Sequence, residues 1–416
     1  MVAMVAMIRT SLMALLALAL SVCSAGAATF SMKRGVNLDI WETWPGEDKW
    51  GDANVILPFP EWRKRVGEGE LKALKAVGFD VVRIPVDPSV FLSEKTEPLR
   101  EQLLESVLES ARMVNAAGLK AVVDLHLIPA GGNGQIGMSE VMDDPANFDR
   151  YVELVRQMGL TLAKEDPAQV AFELMNEPVV DCEPADAKVW PERLKRLYAA
   201  ARSSATRLTL VLSGSCWASA EGLAALDPKD IPDDNVIWTF HSYQPFLLTT
   251  QGATWAGDFI RYVTGLPYPP YSVPREELDA ALDKVRAKIT AEAPLLRRSG
   301  MLAYLDEQMA LVDSKEKLEA ELDAPFAQVD AWAKKHGISP DNIYLGEFGM
   351  IRQEYNNPYV MPGAWRAAYV SDMIARAEAH GFAWSIWGYG GAFGIVDEFE
   401  GRKAESDVLE VVKGLK

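Results

Sequence analysis

Strand-like runs and amphipathic helices alternate about eight times along the chain, and the polar residues that stand out fall at the ends of the strand-like runs. That order predicts an α/β fold, a closed parallel (β/α)8 or TIM barrel with a helical insertion between strands 6 and 7. In such a barrel the side chains that do chemistry collect at the C-terminal ends of the strands. The length of 416 residues agrees, because a barrel of about 250 residues that carries insertions reaches this size. An open doubly wound sheet is the competing arrangement, but no GxGxxG follows the first strand.

Taken in order, the first strand is Lys33 to Leu38, followed by Trp41, Trp44 and Trp50. Glu70 to Val77 is a short helix, and Gly78 leads to a strand through Val81, Val82, Arg83, Ile84 and Pro85, whose charged residue needs a buried partner. Leu99 to Ala117 reads as an amphipathic helix ended by Gly118. Lys120 to His126 is the third strand, after which Gly131, Gly132 and Gly134 mark a loop that lacks the GxxxxGKS of a phosphate cradle. Phe148 to Ala163 is a helix, Ala171 onward a strand, and Ala187 to Ala205 a helix. Strands follow at Leu208 to Leu212 and Val236 to Phe240. The rhythm then breaks for an insertion of about 250–340, with an aromatic, Pro-rich start and helices at Arg275 to Leu296 and Lys315 to Lys335. The strand around Glu347, a helix Ala364 to His380, the strand Phe382 to Trp387 and a last helix from Asp407 complete the chain.

Composition narrows the partners. An apolar fraction of 49% is ample for a core, and 42 basic against 59 acidic residues leave a net charge of −17. Such a charge repels nucleic acid, anionic membrane and anionic polysaccharide alike. Residues 1–28 have the layout of a signal peptide: Arg9, an apolar run Leu12 to Val22, then small residues Ser24 to Ala28. The apolar run falls short of the roughly 18 residues of a membrane span, and Val22 before Cys23 fits a lipoprotein box poorly. The expectation is therefore a secreted or periplasmic protein whose residues 29–416 form a single domain, and a monomer. Export leaves Cys182 and Cys216, each a few residues beyond a strand. A disulfide is geometrically open to them, but two separate buried thiols are the expectation.

The chemistry is concentrated in two stretches. Ala171 to Pro178, AFELMNEP, reads as a buried strand that ends in an amide and a carboxylate. Asn176 suits a substrate hydroxyl, and burial would raise the pKa of Glu177 enough for a general acid. Alone the motif equally suits a helix start, since Asn before Glu and Pro caps helices. The second stretch, Ile343 to Gly349, decides between them: it is another apolar strand that ends in a lone carboxylate, Glu347, between two glycines. His336 and His380 lie on helices, and His126 and His241 lie on different strands without HExxH spacing, so neither a metal nor a cofactor is expected.

On these residues the chain resembles glycoside hydrolase family 5, the cellulase family within the clan of barrel glycosidases. Arg34-Gly35-Val36-Asn37, Arg83-Ile84-Pro85, Asp124-Leu125-His126, Asn176-Glu177-Pro178, His241-Ser242-Tyr243, Gly346-Glu347-Phe348-Gly349 and Trp384 to Trp387 occur in the family's order. The resemblance implies Glu177 as acid/base and Glu347 as nucleophile, with Arg83 and Tyr243 holding Glu347 ionised. It implies that His126, Asn176, His241 and Trp387 line the subsite beside the cleaved bond. Trp384, three residues before Trp387 in the same strand, should face the outer helices. Trp41, Trp44, Trp217 and Trp255 are candidates for sugar stacking, each weighed against core packing. The expected reaction is retaining hydrolysis of a β-linked glucan, cellulase-like; β-1,3-glucan, mixed-linkage glucan, xyloglucan, mannan and a non-catalytic glycan-binding barrel are the alternatives. Two departures, the long insertion and Thr250 where some bacterial members carry histidine, bear on substrate choice. No separate carbohydrate-binding module or Ser/Thr/Pro linker is visible, which points to soluble or nascent polysaccharide.

Overall fold

Eight parallel strands pair in sequence order and close on themselves. They are β1 Arg34–Asn37, β2 Val81–Val86, β3 Lys120–Leu125, β4 Val170–Glu173, β5 Thr209–Ser213, β6 Val236–His241, β7 Ile343–Phe348 and β8 Ala383–Ile386. The computed structural model describes residues 30–57, 61–129, 136–183 and 189–415, with the side chains of 61 and 62 excepted. The expected signal peptide, residues 1–28, and the glycines 131, 132 and 134 lie outside the described residues. Among the described residues no helix is long and apolar enough to cross a membrane.

Side chains alternate across each strand, so one set fills the barrel and the other meets the helices. At the bottom of the barrel Val81, Val122, Ala171, Val211, Ile237, Tyr344 and Ala383 pack with Phe30 and Met32 into a dry plug. Two residues further along, the inward positions turn polar: Arg83, Asp124, Glu173, Ser213, Thr239 and Ser385 are all buried. The outward set, such as Val82, Ile84, Val123, Phe172 and Leu210, packs with the helices in the main core. Trp384 belongs to that outer set as expected, its ring edge-on to Phe79 and Phe348.

The stretch between β6 and β7 holds, besides short helical turns, the long helices Arg275–Glu292, Arg298–Ala310 and Lys315–His336. The last sets Phe326 and Trp332 edge-on against Phe240 and Trp238 of β6, so it takes the place of a barrel helix. The sequence pattern shows the first and third but not Arg298–Ala310. Met301, Leu305 and Met309 form its buried stripe, yet Leu302 and Tyr304 between them are apolar too and blur the contrast.

One irregularity in the sheet aims the site. Phe240 pairs with Leu345 and His241 with Glu347, so β7 carries an extra residue against β6; against β8 it gains the same residue between Leu345 and Phe348. A bulge of this kind rotates the following side chain to the other face. Glu347 would otherwise point outward with Leu345, and the bulge turns it into the barrel. Gly346 is required there, because a Cβ would stand 2.6 Å from Thr239 Oγ1 and 2.9 Å from His241 Nε2. Gly346→Ala is therefore expected to cost about 1–3 kcal/mol of stability by overpacking. Chemical denaturation checks this, and a variant as stable as the parent would contradict the packing described.

Candidate active site

The upper mouth of the barrel gathers the expected residues around one guanidinium. Arg83 is the third residue of β2, deeper than the strand end where the sequence places it, and its long side chain carries the charge upward. It is fully buried at 0% exposure and donates all round. Nε and Nη2 grip the two oxygens of Glu173 at 2.7 and 2.8 Å. Nη1 reaches Glu347 Oε1 at 2.7 Å and Asn37 Oδ1 at 3.0 Å. Nη2 also reaches Asn176 Oδ1 at 2.8 Å and lies 2.9 Å from Asp124 Oδ2. Burial works against the Arg83 charge, but Asp124, Glu173 and Glu347 outweigh it and hold the guanidinium protonated.

The second oxygen of Glu347 accepts from the Tyr243 hydroxyl at 2.9 Å. Both of its oxygens thus meet donors, which fixes the orientation of the carboxylate. Burial and the charge of Glu347 push the Tyr243 hydroxyl far above its usual range, so it stays a donor.

Glu177 sits differently. Strand β4 ends at Glu173, earlier than the run AFELMNEP suggests, and the chain beyond it continues as a loop whose Asn176 N–H still bonds Leu125. Glu177 adopts a left-handed backbone with φ 37°, a conformation that costs about 1–3 kcal/mol in a non-glycine residue and is found where function requires a particular aim. Among the described residues no charged side chain donates a hydrogen bond to it. Burial pushes its pKa up to about 7, with His126 and Arg83 opposing and Glu173 adding to the rise. Its Oε1 lies 2.7 Å from His241 Nδ1. Burial lowers the His241 pKa to about 4, so the ring is neutral.

One oxygen each of Glu177 and Glu347 and one ring nitrogen of His241 all lie within 4.8 Å of one another. These donors are committed to each other, to Arg83 and to Tyr243, so the arrangement suits carboxylate chemistry better than an ion.

His126 completes the floor. Its Nδ1 is 2.8 Å from Asp124 Oδ2, its Nε2 3.3 Å from Asn176 Nδ2, and its ring stacks on Trp387 with centroids 5.3 Å apart. Arg83 occupies the Asn176 oxygen, so the Asn176 amide N–H faces Nε2 and the His126 proton belongs on Nδ1. Burial lowers the His126 pKa, in keeping with a neutral ring, and raises that of Asp124 to about 7.

Of the four stacking candidates, two are corrected. Trp41 is 2% and Trp44 7% exposed, with indole N–H groups donated to Arg63 O and Asp87 O. Buried partners claim both rings, and no face is left for a sugar. Trp217 and Trp255 stay open at 43% and 58% exposure. Trp255 lies 6.3 Å from Phe393, whose ring is 5.8 Å from Tyr243, so it flanks the Glu347 side of the mouth. The Trp217 N–H bonds Pro178 O at 3.1 Å, beside Glu177.

The expectation of separate thiols is also corrected: Cys182 and Cys216 form a disulfide. The β4 and β5 loops run side by side, with Cys216 N–H on Val180 O at 3.0 Å, which brings the two Cα atoms within 4.7 Å. Glu173 and Asp124, central to the network, were not singled out as site residues from sequence. The available signal was a charge inside an apolar strand, the same signal that marked Arg83.

A closed (β/α)8 barrel with two glutamates brought together at its mouth, Glu347 buried and Glu177 half-buried, defines a glycoside hydrolase of the barrel type. The model of the cellulase family, glycosyl hydrolase family 5, matches residues 54–392, and the chain belongs to that family. Endoglucanase C of Acetivibrio thermocellus is 24% identical over 360 residues, covering 86% of this chain and 91% of that protein. Among solved structures, the endoglucanase Cel5A of Thermotoga maritima superposes with a TM-score of 0.61 at 22% identity, covering 91% and 96%. The cellulose synthase subunit Z of Clostridioides difficile superposes with a TM-score of 0.60 at 22% identity, covering 92% and 99%.

Replacing both cysteines by serine should cost about 2–4 kcal/mol through the closed loop of 34 residues. Denaturation with and without reductant measures this, and equal stability of parent and variant under oxidising conditions would contradict the link.

Proposed function

We propose that the protein is an exported endo-acting β-1,4-glucanase that cleaves with retention of configuration. The observation that carries the reading is the approach of Glu177 and Glu347 to within 4.8 Å, near the roughly 5–5.5 Å at which one carboxylate attacks the sugar directly. An inverting pair stands about 6.5–9.5 Å apart to admit a water. The names of relatives such as Endoglucanase C support the substrate class. Export is supported by the disulfide, which belongs to oxidising compartments, and by the signal-like residues 1–28.

In the first step Glu347 attacks the anomeric carbon while Glu177 gives its proton to the glycosidic oxygen, so the C–O bond breaks as the ester forms. In the second, Glu177, now ionised, takes a proton from water, and the resulting attack releases Glu347. Arg83 and Tyr243 donate to the two oxygens of Glu347 and keep it aimed. His241 holds Glu177 Oε1, which leaves Oε2 to face the leaving oxygen. Trp387 stacked on His126 offers a flat wall to the sugar. Cel5A of T. maritima has been solved with cellobiose and with mannotriose, so soluble mannan belongs beside β-glucans in the substrate screen.

Two tests follow from the geometry. Glu347→Ala should abolish hydrolysis of soluble β-glucan with the fold intact by circular dichroism, whereas Glu177→Ala should regain cleavage of an activated aryl β-glycoside when azide is added. Near-normal turnover of the first, or no azide rescue of the second, would falsify the assignment. The pH profile is the other test. Glu177 acts in its protonated form and burial raises its pKa to about 7, so the proton is held below that pH and lost above it. For a natural glucan kcat/KM should fall above about pH 7, and for a dinitrophenyl glycoside, whose leaving group needs no proton, that fall should vanish. An identical basic limb for both substrates would count against Glu177 as the acid.

A further inference from the structure

Arg83 is surrounded by more negative charge than it can cancel. Glu347, Glu173 and Asp124 all lie within 2.9 Å of its nitrogens, and all four side chains are buried. Of the three carboxylates only Glu173 takes the guanidinium along its Nε–Nη2 edge, one oxygen to each nitrogen. A two-point contact of that kind fixes the plane of the ring, where a single contact leaves it free to turn about the bond to the chain.

With that edge fixed, the remaining N–H groups have no choice of direction. Nη1 faces Glu347 and Asn37, and Nη2 faces Asn176. A ring of contacts follows: Arg83 donates to Asn176, Asn176 to His126 and His126 to Asp124, whose Oδ2 also lies 2.9 Å from Arg83 Nη2. These contacts set which end of the Asn176 amide faces the cleft and which His126 nitrogen carries hydrogen.

Building on the hydrolytic reading of the site, we propose that Glu173 is a positioning residue of the reaction, one that never meets substrate but locks Arg83 so that the guanidinium serves Glu347 and Asn176 at once. Its buried charge has a second effect. Burial first, and the Glu173 carboxylate in addition, raise the pKa of Glu177. One side chain therefore orders the nucleophile and helps the acid keep its proton.

Glu173→Gln separates these roles from simple packing. The amide is the same size but offers a donor where Arg83 needs an acceptor, and removing one of three carboxylates eases the charge imbalance, so the variant is expected to fold. Its kcat on a soluble β-glucan should fall about 10- to 100-fold, the cost of misplacing a reacting group, with KM within about twofold. The basic limb of kcat/KM should move to lower pH, because a negative charge beside Glu177 is gone. Glu173→Asp keeps the charge and shortens the reach, so kcat should fall while the basic limb stays. A folded Glu173→Gln protein with kcat within twofold of the parent, or with an unmoved basic limb, would overturn the proposal. Should Glu173→Gln not fold, Glu173→Asp with parental kcat would overturn it equally. Glu347→Ala separates the two levels. If that variant is inactive while Glu173→Gln behaves as the parent, only the role of Glu173 fails; if Glu347→Ala remains active, the hydrolytic reading fails with it.

Discussion

A single buried guanidinium sets the terms for the site. Removing a charge from water is expensive, and Arg83 at the core of a barrel is tolerated only because carboxylates surround it with short, directed hydrogen bonds. Those carboxylates are in turn tolerable only because Arg83 is there. The arrangement leaves Glu347 with a donor on each oxygen and Glu177 without a cation of its own. The same acid thus stands in two surroundings, and burial raises the pKa of Glu177, the member of the pair proposed to give up a proton.

The fold supplies this by layers. Inward positions at the barrel bottom are apolar, aliphatic but for Tyr344, and pack with Phe30 and Met32; the layer above is polar. The bulge in β7 converts an outward residue into an inward one, and Gly346 makes room for it beside Thr239 and His241. At β4 the left-handed turn at Glu177 and the Cys182–Cys216 link beyond it hold the opposing carboxylate on a loop. One carboxylate of the pair is carried by a strand and the other by a strapped loop, with the sheet fixing the distance between them.

Much of this was legible in the sequence, for identifiable reasons. Strands buried on both faces read as short continuous apolar runs that differ in length from the helical patterns between them, so all eight strands were visible, and polar residues at their ends marked the mouth. What the pattern could not show depends on distance in space. Glu173 is a charge in an apolar strand, and only its contact with Arg83, 90 residues earlier, gives it meaning. Trp41 and Trp44 have the composition of a sugar platform, yet backbone carbonyls at Arg63 and Asp87 take their N–H groups and the core covers their rings. The disulfide follows from two loops lying side by side, which no spacing in the chain encodes.

In the proposed reaction Glu347 attacks the anomeric carbon directly while Glu177 stands on the other side of the bond. Proton NMR of the first sugar released from a soluble β-glucan reads this before mutarotation intervenes. Two inversions at the anomeric carbon return the starting configuration, so the β-anomer should appear first and the α-anomer only as it equilibrates. First release of the α-anomer would mean a single inversion by water, and the geometry at the barrel mouth would then require another explanation.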